Sequence, residues 1–268
     1  MDHHATDFYQ STSEGSPRGC FHRVIALNNT HEHKWEDVGQ LASTLPKGWF
    51  ELASLNTDDK ISFVKEFWIS KLTPYSQFTK SLLAFFERLD DIGIYLVQKK
   101  FDDPFECHMI YSLRNNGGFF KGLPPVKESD LMNLKQNFSE VILPKDFLQF
   151  LLIHDGFCKA TDTGMIPCNQ LYGNYIALQK LLAREDSVFT NSGDMVNPKL
   201  LIPFYESFGM PFFQCFWGEW YPENEMGNVY FSGKTKTISN VKCRDPSSEN
   251  MAFPTFRSWL NFYLETIE

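Results

Sequence analysis

The chain has no long apolar run, no closely spaced cysteine pair, no basic excess and no internal repeat, and each absence removes a class of protein. No stretch of its 268 residues approaches the roughly 20 apolar residues that a membrane-spanning helix needs, so no membrane partner is expected. Residues 1–19, MDHHATDFYQSTSEGSPRG, hold neither a basic start nor an apolar core, and no Sec signal is visible in them. Lys and Arg number 25 against 33 Asp and Glu, giving a formal charge of -8 and a pI near 5.4. A grip on nucleic acid depends on clustered cations, so none is expected, and a neutral or basic protein partner fits better. The six cysteines, Cys20, Cys107, Cys158, Cys168, Cys215 and Cys243, form no CxxC pair and sit mostly beside apolar or aromatic neighbours. They read as reduced, buried fillers in a cytoplasmic protein.

Catalytic signatures are missing as well. There is no G-x-S-x-G elbow, and no cysteine lies in a recognisable protease context. The segment GNVYFSGKT at 227–235 resembles a phosphate-binding loop only superficially. Five residues separate Gly227 from Gly233 where four are required, and Val229, Tyr230 and Phe231 are strand formers where small loop residues are needed. A strand ending in a Ser232-Gly233 turn is the better reading. His3-His4 and His31-x-His33 are the clustered histidines; His31 and His33, with Glu32 or Glu36 nearby, lack the preformed third ligand and supporting shell that hold a metal, so adventitious binding is the better reading and no metal site is expected. His154, beside Asp155 at the end of an apolar helix, suits a C-terminal cap favoured by the helix dipole. His108 falls in a strand and reads as packed or surface. The acid pairs Asp58-Asp59, Asp90-Asp91 and Asp102-Asp103 are adjacent in sequence and point apart on a helix, so capping and turn duty explain them. The expectation is therefore a noncatalytic protein without cofactor.

What is present is ample core material: 43% hydrophobic residues, 16% aromatic, and 26 Phe, which call for an aromatic-rich interior. Residues 1–33 are mostly polar and read as a flexible tail. In 34–120 a helix is expected over Trp35, Val38, Leu41 and Ala42, ending at Leu45-Pro46 with a turn at Lys47-Gly48. Two more helices carry Ile61, Val64, Phe67 and Trp68, then Phe78, Leu82, Phe85, Phe86 and Leu89. Residues 92–97 and 107–113 form a strand pair that has no obvious sheet of its own and is open to extending the sheet that follows. Leu123-Pro124-Pro125 is the best candidate boundary.

Residues 128–156 hold two amphipathic helical patterns meeting at Leu143-Pro144. Ser129 suits an N-cap ahead of Leu131, Leu134 and Phe138; Pro144 suits a first helical position ahead of Phe147, Leu148, Phe150, Leu151 and Leu152; Gly156 suits a left-handed stop. Beyond them come a short extended entry and helix at 171–183, and four short strands at 200–205, 211–217, 228–231 and 237–243 in an antiparallel meander. A terminal helix through Phe256, Trp259, Leu260, Tyr263 and Leu264 closes the chain.

The elbow LPKDFLQFLLIHDG, the strand Leu201-Ile202-Pro203-Phe204, the aromatic strand after it and the closing helix resemble, in motif and order, the SMI1/KNR4 (SUKH) superfamily over residues 121–268. The resemblance implies an α+β fold, a mainly antiparallel sheet flanked by helices, with 34–120 as a helical and hairpin extension. It further implies a protein-binding module without shared catalytic residues. Bacterial members are typically immunity proteins that neutralise toxins, and fungal members act as signalling scaffolds, so a toxin or a signalling protein is the implied partner. The alternative is an interaction scaffold or secreted effector using both halves of the chain. Within FFQCFWGEWY and the acidic stretch behind it, Trp217, Glu219, Trp220, Tyr221, Glu223 and Glu225 combine rigid rings with carboxylates at a sheet edge, which makes them the candidate partner-binding residues. The competing reading is that the rings cap the core beneath the loop.

Overall fold

The computed structural model describes residues 1–10, 21–28, 33–72, 76–160, 162–183, 187–207, 209, 211–242 and 250–265. The class is α+β. The chain divides into two compact units: Met1–Pro125 with Ile153–Thr161 and Leu264–Glu268, and Val126–Leu152 with Asp162–Tyr263. The proline connector does mark a seam. Residues 121–268 are nevertheless not one continuous domain, because the segment after the elbow returns to the first unit.

The first unit contains α1 (His3–Gln10), β1 (Arg23–Ala26), α2 (Trp35–Leu41), α3 (Lys47–Ala53), α4 (Thr57–Lys71) and α5 (Ser76–Glu87), then β2 (Leu89–Gln98), β3 (Glu106–Leu113), β4 (Phe119–Gly122) and β5 (Phe157–Lys159). Its strands lie in the order β1-β2-β3-β4-β5, all antiparallel. The pair at 92–97 and 107–113 therefore sits in the middle of its own sheet rather than extending the second one. The polar tail is also corrected. Ala5 and Tyr9 are buried with Tyr95, Val97, Ile110 and Phe119, and Tyr9 stacks on Tyr95 at 4.3 Å. Ala5, Phe8 and Tyr9 make one apolar helical face inside a segment whose average composition is polar. The expected turn at Lys47-Gly48 instead opens α3, whose first amide bonds fold back on the Pro46 carbonyl while Trp49, Leu52 and Ala53 are buried.

Helix α4 buries Val64 and Trp68 as expected, but Lys60 rather than Phe67 completes its buried stripe. Asn56 caps it by accepting the Asp59 N–H, and its buried stripe is Lys60, Val64 and Trp68, while Phe63 is 60% exposed and Phe67 also faces solvent. The reason is electrostatic. The Lys60 ammonium lies 2.8 Å from Asp91 Oδ1, which also accepts from Thr57 Oγ1 at 3.2 Å and from the Ile92 N–H at 2.8 Å. A buried cation on the helix thus has a matching, partly buried carboxylate on the sheet it packs against.

The second unit contains α6 (Glu128–Asn137), α7 (Lys145–Leu151), β6 (Gly164–Met165), α8 (Cys168–Leu182), β7 (Val188–Thr190), β8 (Met195–Val196), a 3-10 turn at Pro198–Leu200, β9 (Leu201–Glu206), β10 (Phe212–Trp217), β11 (Asn228–Ser232), β12 (Thr237–Ile238), β13 (Ala252–Phe253) and α9 (Phe256–Glu265), the last through Tyr263. The sheet order is β6-β9-β10-β11-β12-β7-β8, with β13 on β11. The meander is confirmed as β9 to β12, but β12 and β7 run parallel, so the sheet is mixed. Pro203 lies inside β9, where the register with β10 shifts between Gln214 and Cys215, an irregularity suited to a residue lacking an N–H.

The elbow keeps its two helices and loses several details. The N-cap of α6 is Lys127, whose carbonyl accepts from Asp130 and Leu131, so Ser129 lies inside the first turn. Pro144 is the N-cap of α7 rather than its first residue, and six residues, not a sharp hinge, separate Phe138 from Lys145. Gly156 does hold a left-handed φ of 110°, yet α7 has already ended at Leu151. The extended entry expected at 171 is absent because α8 starts at Cys168, behind Pro167. Aromatic packing fills the core as anticipated: Phe204 stacks on Phe216 at 4.2 Å, Phe147 meets Phe216 at 5.1 Å, and Trp259 meets Phe204 edge-on at 4.9 Å. Cys107, Cys158, Cys168 and Cys215 are buried thiols outside any disulfide, while Cys20 and Cys243 lie outside the described residues.

Removing one partner of the buried ion pair strands the other charge. Lys60→Met is expected to cost about 3–5 kcal/mol in urea unfolding, and adding Asp91→Leu to it is expected to recover a large part of that loss.

Candidate functional site

The six sequence-derived residues all belong to the second unit, on β10 and the loop behind it. Chain closure is tight: the Trp217 N–H donates to the Gly227 carbonyl at 3.0 Å, and the Gly227 N–H donates to the Trp220 carbonyl at 2.8 Å. Gly218 bonds the Leu200 carbonyl, and Asn224 takes the left-handed region at φ 60°. The Trp220 ring lies directly over Gly227, leaving no room for a Cβ there. Trp217 is only 8% exposed, within the core of Leu178, Val229, Phe231 and Ile238, and its indole N–H donates to Glu219 Oε2 at 3.2 Å.

The structure therefore divides the candidates. Trp217 belongs to the core, and Trp220 is half-buried against it, as the competing reading held. Tyr221 is 47% exposed, and Glu219 and Glu223 are exposed on the same loop. Glu225 is half-buried, with Oε2 sequestered from solvent and without a hydrogen bond.

Glu225 acts on a carboxylate that the sequence did not single out. Asp146, buried on α7, has its pKa pushed up to about 6 by burial; Arg257 opposes the rise and Glu225 adds to it. The Arg257 Nε lies 2.6 Å from Asp146 Oδ2 and ties α9 to α7. Ionising Asp146 costs the folded state, so its contribution favours folding below pH 4 and declines as pH rises from 3.8 towards 6.

Two polar chains occupy the first unit, one fully buried and one running from a buried imidazole to the surface. Trp68 Nε1 donates to the Tyr111 hydroxyl at 3.0 Å, the hydroxyl lies 2.6 Å from His154 Nε2, and His154 Nδ1 lies 2.7 Å from the Leu123 carbonyl. These partners fix the tautomer. Nδ1 must carry the proton for Leu123, and Nε2 must accept from Tyr111. Burial holds the imidazole down at about 4, against a weaker upward pull from Leu123. The expected cationic cap is thus corrected: His154 is a neutral core residue, and its ring lies where a Cβ on Gly122 would fall. In the second chain Tyr9 bonds His108 Nδ1 at 2.8 Å, His108 Nε2 lies 3.4 Å from Glu106, and Glu106 pairs with Lys99 at 2.8 Å. Burial lowers the His108 pKa, and the bond from His108 holds Glu106 down to about 2. Both imidazoles have partners within the fold at both ring nitrogens.

An open cleft of about 240 Å³ in the first unit is lined by Ile61, Phe86, Lys65, Arg114, Asp58 and Glu87. It is smaller than the roughly 300–1,000 Å³ of ordinary small-molecule sites, and its opposite charges present no single ligand type. Among the described residues, no helix is long and apolar enough to cross a membrane. Comparison with models of known protein families gives no match, and comparison with curated proteins gives none.

Sequence reasoning missed the Tyr111–His154 contact because its members lie 43 positions apart. The signal available was an isolated His inside an apolar run, which demands a buried partner. By imidazole NMR, His154 is expected to remain a neutral Nδ1–H tautomer down to pH 5. Because its folded pKa is depressed, it stabilises fully above pH 6.5 and loses roughly 3 kcal/mol as pH falls through that value to 4. An ordinary titration near 6.5 would contradict this.

Proposed function

We propose that the chain is a noncatalytic protein-binding module that holds a neutral or basic partner through Tyr221, with Glu219 and Glu223 as an acidic rim. The observation that carries this reading is a preorganised loop: an exposed aromatic side chain, braced from below by Trp217 and Trp220, flanked by exposed carboxylates. A rigid aromatic anchor contributes contact area at low entropic cost, and the net charge of -8 steers a basic surface towards it. The SUKH resemblance of the elbow and meander supports the same class, and toxin neutralisation is the first subclass that the reading offers.

A second reading, an interaction scaffold or effector using both halves, is favoured by Phe63 and Phe67, exposed one turn apart on α4. Cutting the chain at Lys121 cannot separate the two, since β5 and His154 belong to the first unit. Point variants can. Affinity capture from the native source, followed by titration of the captured protein, is expected to show Tyr221→Ala with Glu223→Lys weakening binding by at least about 10-fold, with Phe63→Ser and Phe67→Ser neutral. The reverse pattern favours the scaffold, and loss in both sets identifies two-sided contact.

A further inference from the structure

The start of α1 brings together groups that the proposed partner contact does not use and that capping only partly explains. Asp2 is the helix N-cap: its carbonyl accepts from the Thr6 N–H at 3.2 Å and its Oδ1 accepts from the His4 N–H at 2.8 Å. The residue is pinned to the sheet, since its N–H donates to Ser112 Oγ on β3 at 2.6 Å. Its side chain is only 2% exposed, and no Lys or Arg among the described residues lies within ion-pair distance of it.

Two imidazoles take that place. His4 Nδ1 lies 2.8 Å from Asp2 Oδ1 and His3 Nδ1 lies 4.0 Å from the same atom. The rings are 3.9 Å apart, and the three ligand atoms all fall within 4.8 Å of one another. Donor atoms around a tetrahedral ion bound at about 2.0–2.1 Å are separated by roughly 3.3 Å, a value that lies between the two measured distances. Among the described residues, Asp2 Oδ2 takes no hydrogen bond. Capping accounts for the Oδ1 bond to the His4 amide. It does not account for a nearly buried carboxylate whose only neighbouring side-chain cations would be two histidines.

We propose that Asp2, His3 and His4 form a binding site for a divalent transition metal such as zinc, with water completing the coordination. Two nitrogens and one carboxylate suit zinc or cobalt rather than calcium or magnesium, which take oxygen ligands. The carboxylate and His4 are preorganised by the helix start and Ser112. His3, with its side chain 56% exposed, closes by a small rotation. Asp2 supplies a third ligand atom beside the adjacent pair His3-His4. His31 lies outside the described residues, and His33 carries no such neighbours in the trio.

The test is titration of the full chain, free of any histidine tag, with Co(II) followed by visible absorption and with Zn(II) by calorimetry. One saturable ion per chain is expected, with d–d bands of an N/O site. His3→Ala changes an exposed side chain and leaves thermal unfolding of the metal-free protein unaltered, yet is expected to weaken zinc at least about 10-fold, as is Asp2→Asn. His22→Ala with His33→Ala is expected to bind as the parent does. Absence of saturable binding at one equivalent, or binding indifferent to His3→Ala and Asp2→Asn, overturns the assignment.

Discussion

A neutral imidazole in the core of the first unit is the interaction on which the placement of the chain depends. His154 follows α7 by only a few residues, yet it is bonded to Tyr111 on β3 and to the Leu123 carbonyl beyond β4. Trp68 donates to Tyr111, Tyr111 to His154 and His154 to the Leu123 carbonyl, so removing any member leaves a donor or acceptor of this chain unpaired at about 1–3 kcal/mol each. The aromatic shell of Trp68, Phe157 and Tyr111 around the ring strengthens these bonds by excluding water and raises the cost of charging it. The same bonds draw residues 153–159 to β4 and make the two units discontinuous in sequence.

The second unit solves a different problem. Its sheet must present a loop at the end of β10 without letting that loop collapse, and it does so by closing residues 217–227 with backbone bonds and seating Trp220 over a glycine. Substituting Gly227 would push the indole out. Trp217 and Trp220 therefore form the brace, and Tyr221, Glu219 and Glu223 are the side chains the loop leaves exposed. Arg257 and Asp146 join two helices of the same unit while Glu225 bears on that pair, which links the loop electrostatically to the helical layer.

Much of the fold was legible where periodicity was strong. The meander, the closing helix, α5 and the paired strands at 92–97 and 107–113 follow from alternation and helical spacing in Phe, Leu, Ile and Val. Legibility failed where the deciding partner lies far away. Nothing near Lys60 announces Asp91, so the stripe Ile61, Val64, Phe67 and Trp68 holds for Val64 and Trp68 but not for Phe67; nothing near His154 announces Tyr111; and the apolar stripe of α1 is diluted by its polar neighbours. At the candidate site composition singled out the segment but not which rings point outward, because alternation along β10 stops at Gly218. Asp146 escaped notice because an acid in the first turn of a helix is ordinary.

Hydrogen exchange on Tyr111→Phe tests the central claim most directly, since that change removes one hydroxyl while keeping the ring. If the imidazole clasp holds the returning segment, amides of Phe157, Cys158 and Lys159 lose protection together with those of Phe119–Gly122, while β1 and β2 keep most of theirs. Unchanged protection at 157–159 would show that strand pairing and apolar packing hold the segment without the Tyr111–His154 bond, and the account would be wrong.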